Sequence, residues 1–272
     1  MKKILLAFDG TNFSEGAFEF ARQLNEMQPV LVTAAFMPQV DYANLWSYSV
    51  GVAGGMVIPL LEDEDTSSIE KNISHFEELC KLHNMKYRIH KNFYGFAMAE
   101  LRKETRFSDL LLLGGEMFYN NMGIEMNDYM RETLKMAECP ILIVPEHYDF
   151  PQSTILTYDG TESSVYAIKQ FAYLFPELSS EPSLLVYSNP GDDPMPDKEN
   201  MEELVSQHYT NNEFYKLKVN SKKYFDDWVN EKKGAMVVFG AFGRSALSQM
   251  FHKSFASDVI QTLKLPVFIA HK

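Results

Sequence analysis

Gly240, Gly243, Arg244, Lys253 and Ser254 stand close together near the end of the chain, and their types are those that hold an anion. A glycine carries no Cβ, so two of them three positions apart let the main chain approach a ligand closely. Arg244 and Lys253, with His252 beside them, supply positive charge, and a lysine ammonium binds phosphate as a point charge. Ser254 precedes Phe255, Val259, Ile260 and Leu263, which fall on one helical face, so the segment leads into a helix N-terminus whose open N–H groups favour an anion. Asp159, in Asp159-Gly160-Thr161, adds a carboxylate at a second turn. A purely structural reading stands beside this one: Ser254 caps its own helix and the glycines turn the chain.

Other constellations are poorer. No Ser-His-Asp order and no lysine-bearing phosphate loop is present, so no catalytic residue is assigned. Gly51-Val52-Ala53-Gly54-Gly55 lacks the Lys-Ser or Lys-Thr that a phosphate loop needs. Among His75, Cys80, His83 and His90, only Cys80 and His83 are spaced to share a helix face, too few to complete four-coordination, and no metal site is expected.

The elements that position the glycines and Asp159 come from hydrophobic periodicity. Ala235 to Phe239 is a continuous apolar run of the kind buried on both faces in a parallel sheet, and Gly240 ends it. Ile155 to Tyr158 is a strand that delivers Asp159, and a helix starts at Ser164. The same unit occurs earlier: a shift of 150 positions pairs Leu6 with Leu156, Asp9 with Asp159, Gly10 with Gly160, Thr11 with Thr161 and Ser14 with Ser164. A shift of 126 pairs Gly114 with Gly240, Leu134 with Ile260, Pro140 with Pro266 and Ile143 with Ile269. The chain is thus a tandem duplication, divided here as 1–146 and 152–272 about the linker Glu146 to Gln152.

The two offsets differ by 24 positions, which places an insertion in the first half, at Met37 to Asp65. It is apolar, with Tyr42, Trp46, Tyr48 and Ile58, and reads either as a lid on its own domain or as a surface for a protein partner. Helices are expected over Ser67 to Asn84, Ala97 to Thr105, Glu132 to Ala137, Glu199 to His208 and Lys222 to Glu231. Further strands are expected over Tyr87 to Lys91, Asp109 to Leu113, Cys139 to Val144, Leu184 to Tyr187 and Phe214 to Val219. Strands alternating with helices imply an α/β fold, with a doubly wound parallel sheet in each half. Ligands of such sheets sit at the carboxyl ends of the strands, where Asp159 and Gly240 both fall.

Composition narrows the function. A formal net charge of −12 over 272 residues argues against a nucleic-acid binder. No apolar run is long enough to span a membrane. Two cysteines build no disulfide framework, and the expected compartment is the cytoplasm.

A strand ending in Asp-Gly-Thr, a later strand ending in Gly-x2-Gly, a small-residue pair nine residues on, and a terminal Pro-Val-Phe-Ile strand together resemble the universal stress protein family, here in tandem. The resemblance implies two tandem domains, each with a five-stranded parallel sheet flanked by helices, packed as an intramolecular pseudo-dimer. It also implies an adenine-nucleotide site, for ATP or a relative with magnesium, in some members. In the second half Gly240, Gly243 and Ser254 match the binding motif, Lys253 replaces a glycine, and Asp159, Arg244 and Lys253 complete the candidate set. In the first half Met117 replaces the second glycine and Asn127-Asp128 stand where Gly-Ser would, so that site is read as degenerate. The resulting expectation is a non-enzymatic cytoplasmic stress protein whose second domain binds nucleotide as a signal. Its rival is a protein that binds none and acts through protein contacts or self-association.

Overall fold

The computed structural model describes residues 1–37, 63–91, 97–118, 128–188, 194–217, 228–229, 231–240 and 264–270. In the first half β1 (Lys3–Phe8), α1 (Glu15–Met27), β2 (Leu31–Phe36), α2 (Asp63–Leu82), β3 (Lys86–Lys91), α3 (Ala97–Arg106), β4 (Leu110–Gly114), α4 (Asp128–Met136) and β5 (Ile141–Val144) alternate. The second half has β6 (Ser153–Tyr158), α5 (Glu162–Leu174), α6 (Pro176–Ser179), β7 (Ser183–Ser188), α7 (Lys198–His208), β8 (Asn212–Leu217), β9 (Ala235–Gly240) and β10 (Val267–Ala270).

All ten strands form one sheet, in the order β3-β2-β1-β4-β5-β10-β9-β6-β7-β8. Read from its outer edge, each half has the same order and is parallel throughout. The halves meet where β5 and β10 pair antiparallel, Ile143 opposite Val267 and Ile141 opposite Ile269. The central strands are short unbroken apolar runs because helices cover both faces. Alternation along β1 sends Ile4, Leu6 and Phe8 into one core layer with Phe20 of α1 and Phe171 of α5. Leu5 and Ala7 enter the other layer, with Leu101 of α3 and Leu134 of α4. Both layers run through both halves.

Several expected boundaries move. The long helix begins at Asp63 instead of Ser67, so 63–65 form its first turn. The insertion expected over 37–65 is therefore partly helix: α2 has 20 residues and its counterpart α7 has 11. Met37 is buried and donates from its N–H to the Phe8 carbonyl (2.9 Å), while 38–62 lie outside the described residues. α4 starts at Asp128 instead of Glu132, β8 spans Asn212–Leu217 instead of 214–219, and α6, opened by Pro176 at its first turn, was not anticipated. The helix expected over 255–263 lies outside the described residues, as does most of that expected over 222–231.

Candidate functional site

The two Asp-Gly-Thr turns have the same sequence and different surroundings. In the first, Asp9 is 4% exposed. Its Oδ1 accepts from the N–H groups of Thr11 (3.0 Å) and Asn12 (2.7 Å), and its Oδ2 accepts from Asn12 Nδ2 (2.7 Å). Those bonds hold Asn12 out of the helix, and Phe13 stacks on Phe8 with ring centroids 4.7 Å apart, so α1 begins only after Ser14. From above, α2 clamps the turn: Asn72 Nδ2 donates to the carbonyls of Gly10 (2.9 Å) and Thr11 (3.0 Å), and His75 pairs with Glu15 (2.8 Å).

The N-terminus of α1 already holds a carboxylate. Glu146, just beyond β5, takes the hydrogen bond of Ser14 Oγ on one oxygen and that of the Gly16 N–H (3.2 Å) on the other. A negative group at a helix start, bonded there to one open N–H and to the capping hydroxyl, stands where a bound phosphate would otherwise sit. Gly114 ends β4 directly beneath: a Cβ there would lie 2.5 Å from Ser14 Cβ and 3.3 Å from the Glu146 carboxylate. Glu116 adds further negative charge, its Oε2 accepting from the Glu146 N–H (2.8 Å).

In the second turn Asp159 is half-buried and accepts from the Thr161 N–H (3.0 Å) and hydroxyl (2.6 Å). The helix starts at Glu162, not at Ser164 as expected, and Thr161 caps it, accepting from the Ser164 N–H (3.3 Å). Glu162 replaces the position of Asn12 and starts the helix, because an acidic first turn suits the dipole. Pro196 packs on Gly160, and the Tyr158 hydroxyl donates to its carbonyl (3.2 Å). Burial first, then the nearby Asp197 and Asp159, raise the Tyr158 phenol above its ordinary pKa. Among the described residues, no carboxylate from beyond the turn is seated on the N-terminus of α5.

Asp159 and Gly240 stand at the carboxyl ends of neighbouring strands, β6 and β9. Gly240 has a firm packing reason: a Cβ would lie 2.6 Å from Ser163 C and Ser164 Cα, in the backbone of α5. Gly243, Arg244, Lys253 and Ser254 lie outside the described residues. Asn72 and Glu146 went unrecognised in the sequence. The signal available for Glu146 was that the 126-position shift pairs it with Lys272, a reversal of charge.

Cys80 is buried, and burial pushes its thiol up to about 12, a protonated and inert state at neutral pH. His90 pairs with Glu104 (2.7 Å). Among the described residues no group of His, Cys, Asp or Glu is arranged to hold a metal, and no helix is long and apolar enough to cross a membrane.

Comparison with known proteins places the architecture. A universal stress protein from Archaeoglobus fulgidus matches all of this chain over 96% of its own, at 15% identity and a TM-score of 0.68. A putative universal stress protein from Pseudomonas aeruginosa matches at 11% identity, with 100% of this chain and 93% of that one covered, TM-score 0.55. A functionally unknown protein from the same species covers 100% and 92%, at 9% identity and TM-score 0.57. No family model and no curated protein matches the sequence. The class is therefore that of the universal stress protein fold, a likeness of fold alone at these identities. More particularly, one strand order occurs twice along this chain, within a single ten-stranded sheet.

Proposed function

We propose that the protein is a non-enzymatic, cytoplasmic stress protein that binds one adenine nucleotide per chain, in the second half, as a signal. The observation that carries this reading is the difference between the two helix starts: α1 is filled by Glu146, whereas α5 receives no such carboxylate among the described residues. Two unit like charges about 4 Å apart repel by about 4 kcal/mol at an effective dielectric of about 20, so Glu146 and Glu116 disfavour phosphate in the first half. The candidate cations Arg244 and Lys253 favour phosphate in the second, and Asp159, at the neighbouring strand end, is assigned to the adenosine end of the ligand.

Titration calorimetry with magnesium and ATP on the wild type, Lys253→Gly, Lys253→Ala and Gly243→Val tests it. One site per chain is expected, abolished by Gly243→Val. If Lys253 contacts phosphate, both of its variants weaken binding; if it crowds a position built for glycine, Lys253→Gly strengthens it. Two equivalent sites, or binding untouched by Gly243→Val, would sink the reading. A second reading, a protein that binds no nucleotide and works through protein contacts, has its own support. Packing against α5 accounts fully for Gly240, without a ligand. Absence of any calorimetric response would select it.

A further inference from the structure

The sheet has two outer edges, β3 and β8, and the duplication makes them counterparts position by position. An edge strand offers a row of main-chain donors and acceptors to any passing strand, and proteins guard such edges with charge. β3 is guarded: Lys86, Arg88 and Lys91 are all exposed. At the positions 126 later stand Asn212, Phe214 and Leu217, so those three cations are gone and the charges of β8 are Glu213 and Lys216. Phe214 is 38% and Tyr215 45% exposed. Tyr215 stacks on Trp228 at 5.7 Å with an interplanar angle of 3°, and Lys232 lies over the Trp228 ring (5.3 Å).

We infer that β8 is the docking edge for a second copy of this chain, which adds its own β8 antiparallel across a twofold axis. The Ser183 N–H donates to the Asn211 carbonyl (2.7 Å), so the Asn211 main chain faces β7. Alternation then turns the main-chain groups of Asn212 and Phe214 to the open side. A twofold axis through Phe214 sets Phe214 opposite its equivalent, exchanging two hydrogen bonds. Asn212 then lies opposite Lys216 and Glu213 opposite Tyr215, with no like charges facing. With one Glu and one Lys, β8 itself selects neither an acidic nor a basic foreign strand, whereas it is compatible with itself.

Sedimentation equilibrium of the full chain tests this, with circular dichroism to verify folding. A concentration-dependent dimer is expected, and it tightens as salt rises because each chain carries −12. Phe214→Arg restores the guard that Arg88 provides on β3 and places two like charges at the axis, weakening association about tenfold or more. Asn212→Lys, which opposes Lys216, weakens it in the same direction and serves if Phe214→Arg fails to fold. A monomer at every concentration, a dimer indifferent to both variants, or an open series of larger assemblies would overturn the inference.

Discussion

The β1–α1 and β6–α5 junctions begin from one motif, Asp-Gly-Thr, and end as different devices. In the first, every oxygen of Asp9 described is occupied by the turn itself, α2 closes it from above, and Glu146 fills the helix start. In the second, the helix begins three residues earlier relative to the motif, and the Thr161 hydroxyl caps it as the Ser14 hydroxyl caps α1, but with no carboxylate from beyond the turn added among the described residues. The lesson is that duplication conserves the strand and turn, while the residues immediately after the turn decide whether the helix start is consumed internally. Asn12 and Phe13 delay the helix; Glu162 and Ser163 continue it.

The largest test of this contrast lies beneath the two helix starts. Gly240→Ala drives a methyl into the backbone of α5, which no side-chain change relieves, and should cost more than about 3 kcal/mol, at the upper end of overpacking effects. Gly114→Ala meets mainly the Ser14 side chain, should cost about 1–3 kcal/mol, and should be largely restored by Ser14→Gly. Urea unfolding of the single and double variants measures this. Equal costs, or no rescue, would erase the distinction between the halves.

A middle-sized effect is expected at the cap. Glu146→Ala removes a carboxylate bonded to Ser14 and Gly16 and should lower stability by about 1–2 kcal/mol, or roughly 2–4 °C of Tm for each kcal/mol. Asp159→Ala, in the half-buried second turn, should cost less, and differential scanning calorimetry of the pair decides.

The smallest effect is a pH dependence. Arg106 first, then Arg102, hold the exposed Glu138 carboxyl at about 2, below its ordinary value of about 4.3. A depressed carboxylate pKa stabilises the fold above the unfolded value and loses that contribution as pH falls from about 4.3 toward about 2. The counterparts of Arg102, Arg106 and Glu138 are Trp228, Lys232 and Lys264, and there the tie is a cation over a ring, with no carboxylate to protonate. Acid should therefore loosen the first half before the second, followed by hydrogen exchange, and Glu138→Gln should flatten that acid limb. Simultaneous loosening of both halves would contradict it.

The α/β class, the doubling and nearly every strand were legible because buried parallel strands are unbroken apolar runs, such as Leu110 to Leu113 and Ala235 to Phe239, and because a fixed offset repeats them. Helix starts were less legible: the same Thr is a turn residue at 11 and a cap at 161, and the choice depends on whether the next side chain bonds backward, as Asn12 does. Glu146 read as linker because its partners lie 130 and 132 positions away, and only the closed sheet brings them together. Asn72 was hidden for the same reason.

The antiparallel joint between β5 and β10 has a consequence for synthesis. β10 follows every other strand of the sheet in sequence, yet it sits at the centre, between β5 and β9. While the ribosome is still making the second half, the first already has β1 to β5 and leaves the apolar edge of Ile141–Val144 open. Such an uncovered edge invites strands from neighbouring nascent chains. The four residues Val267–Ala270 thus act as a late keystone, and truncation just before them leaves two half-sheets with sticky inner margins.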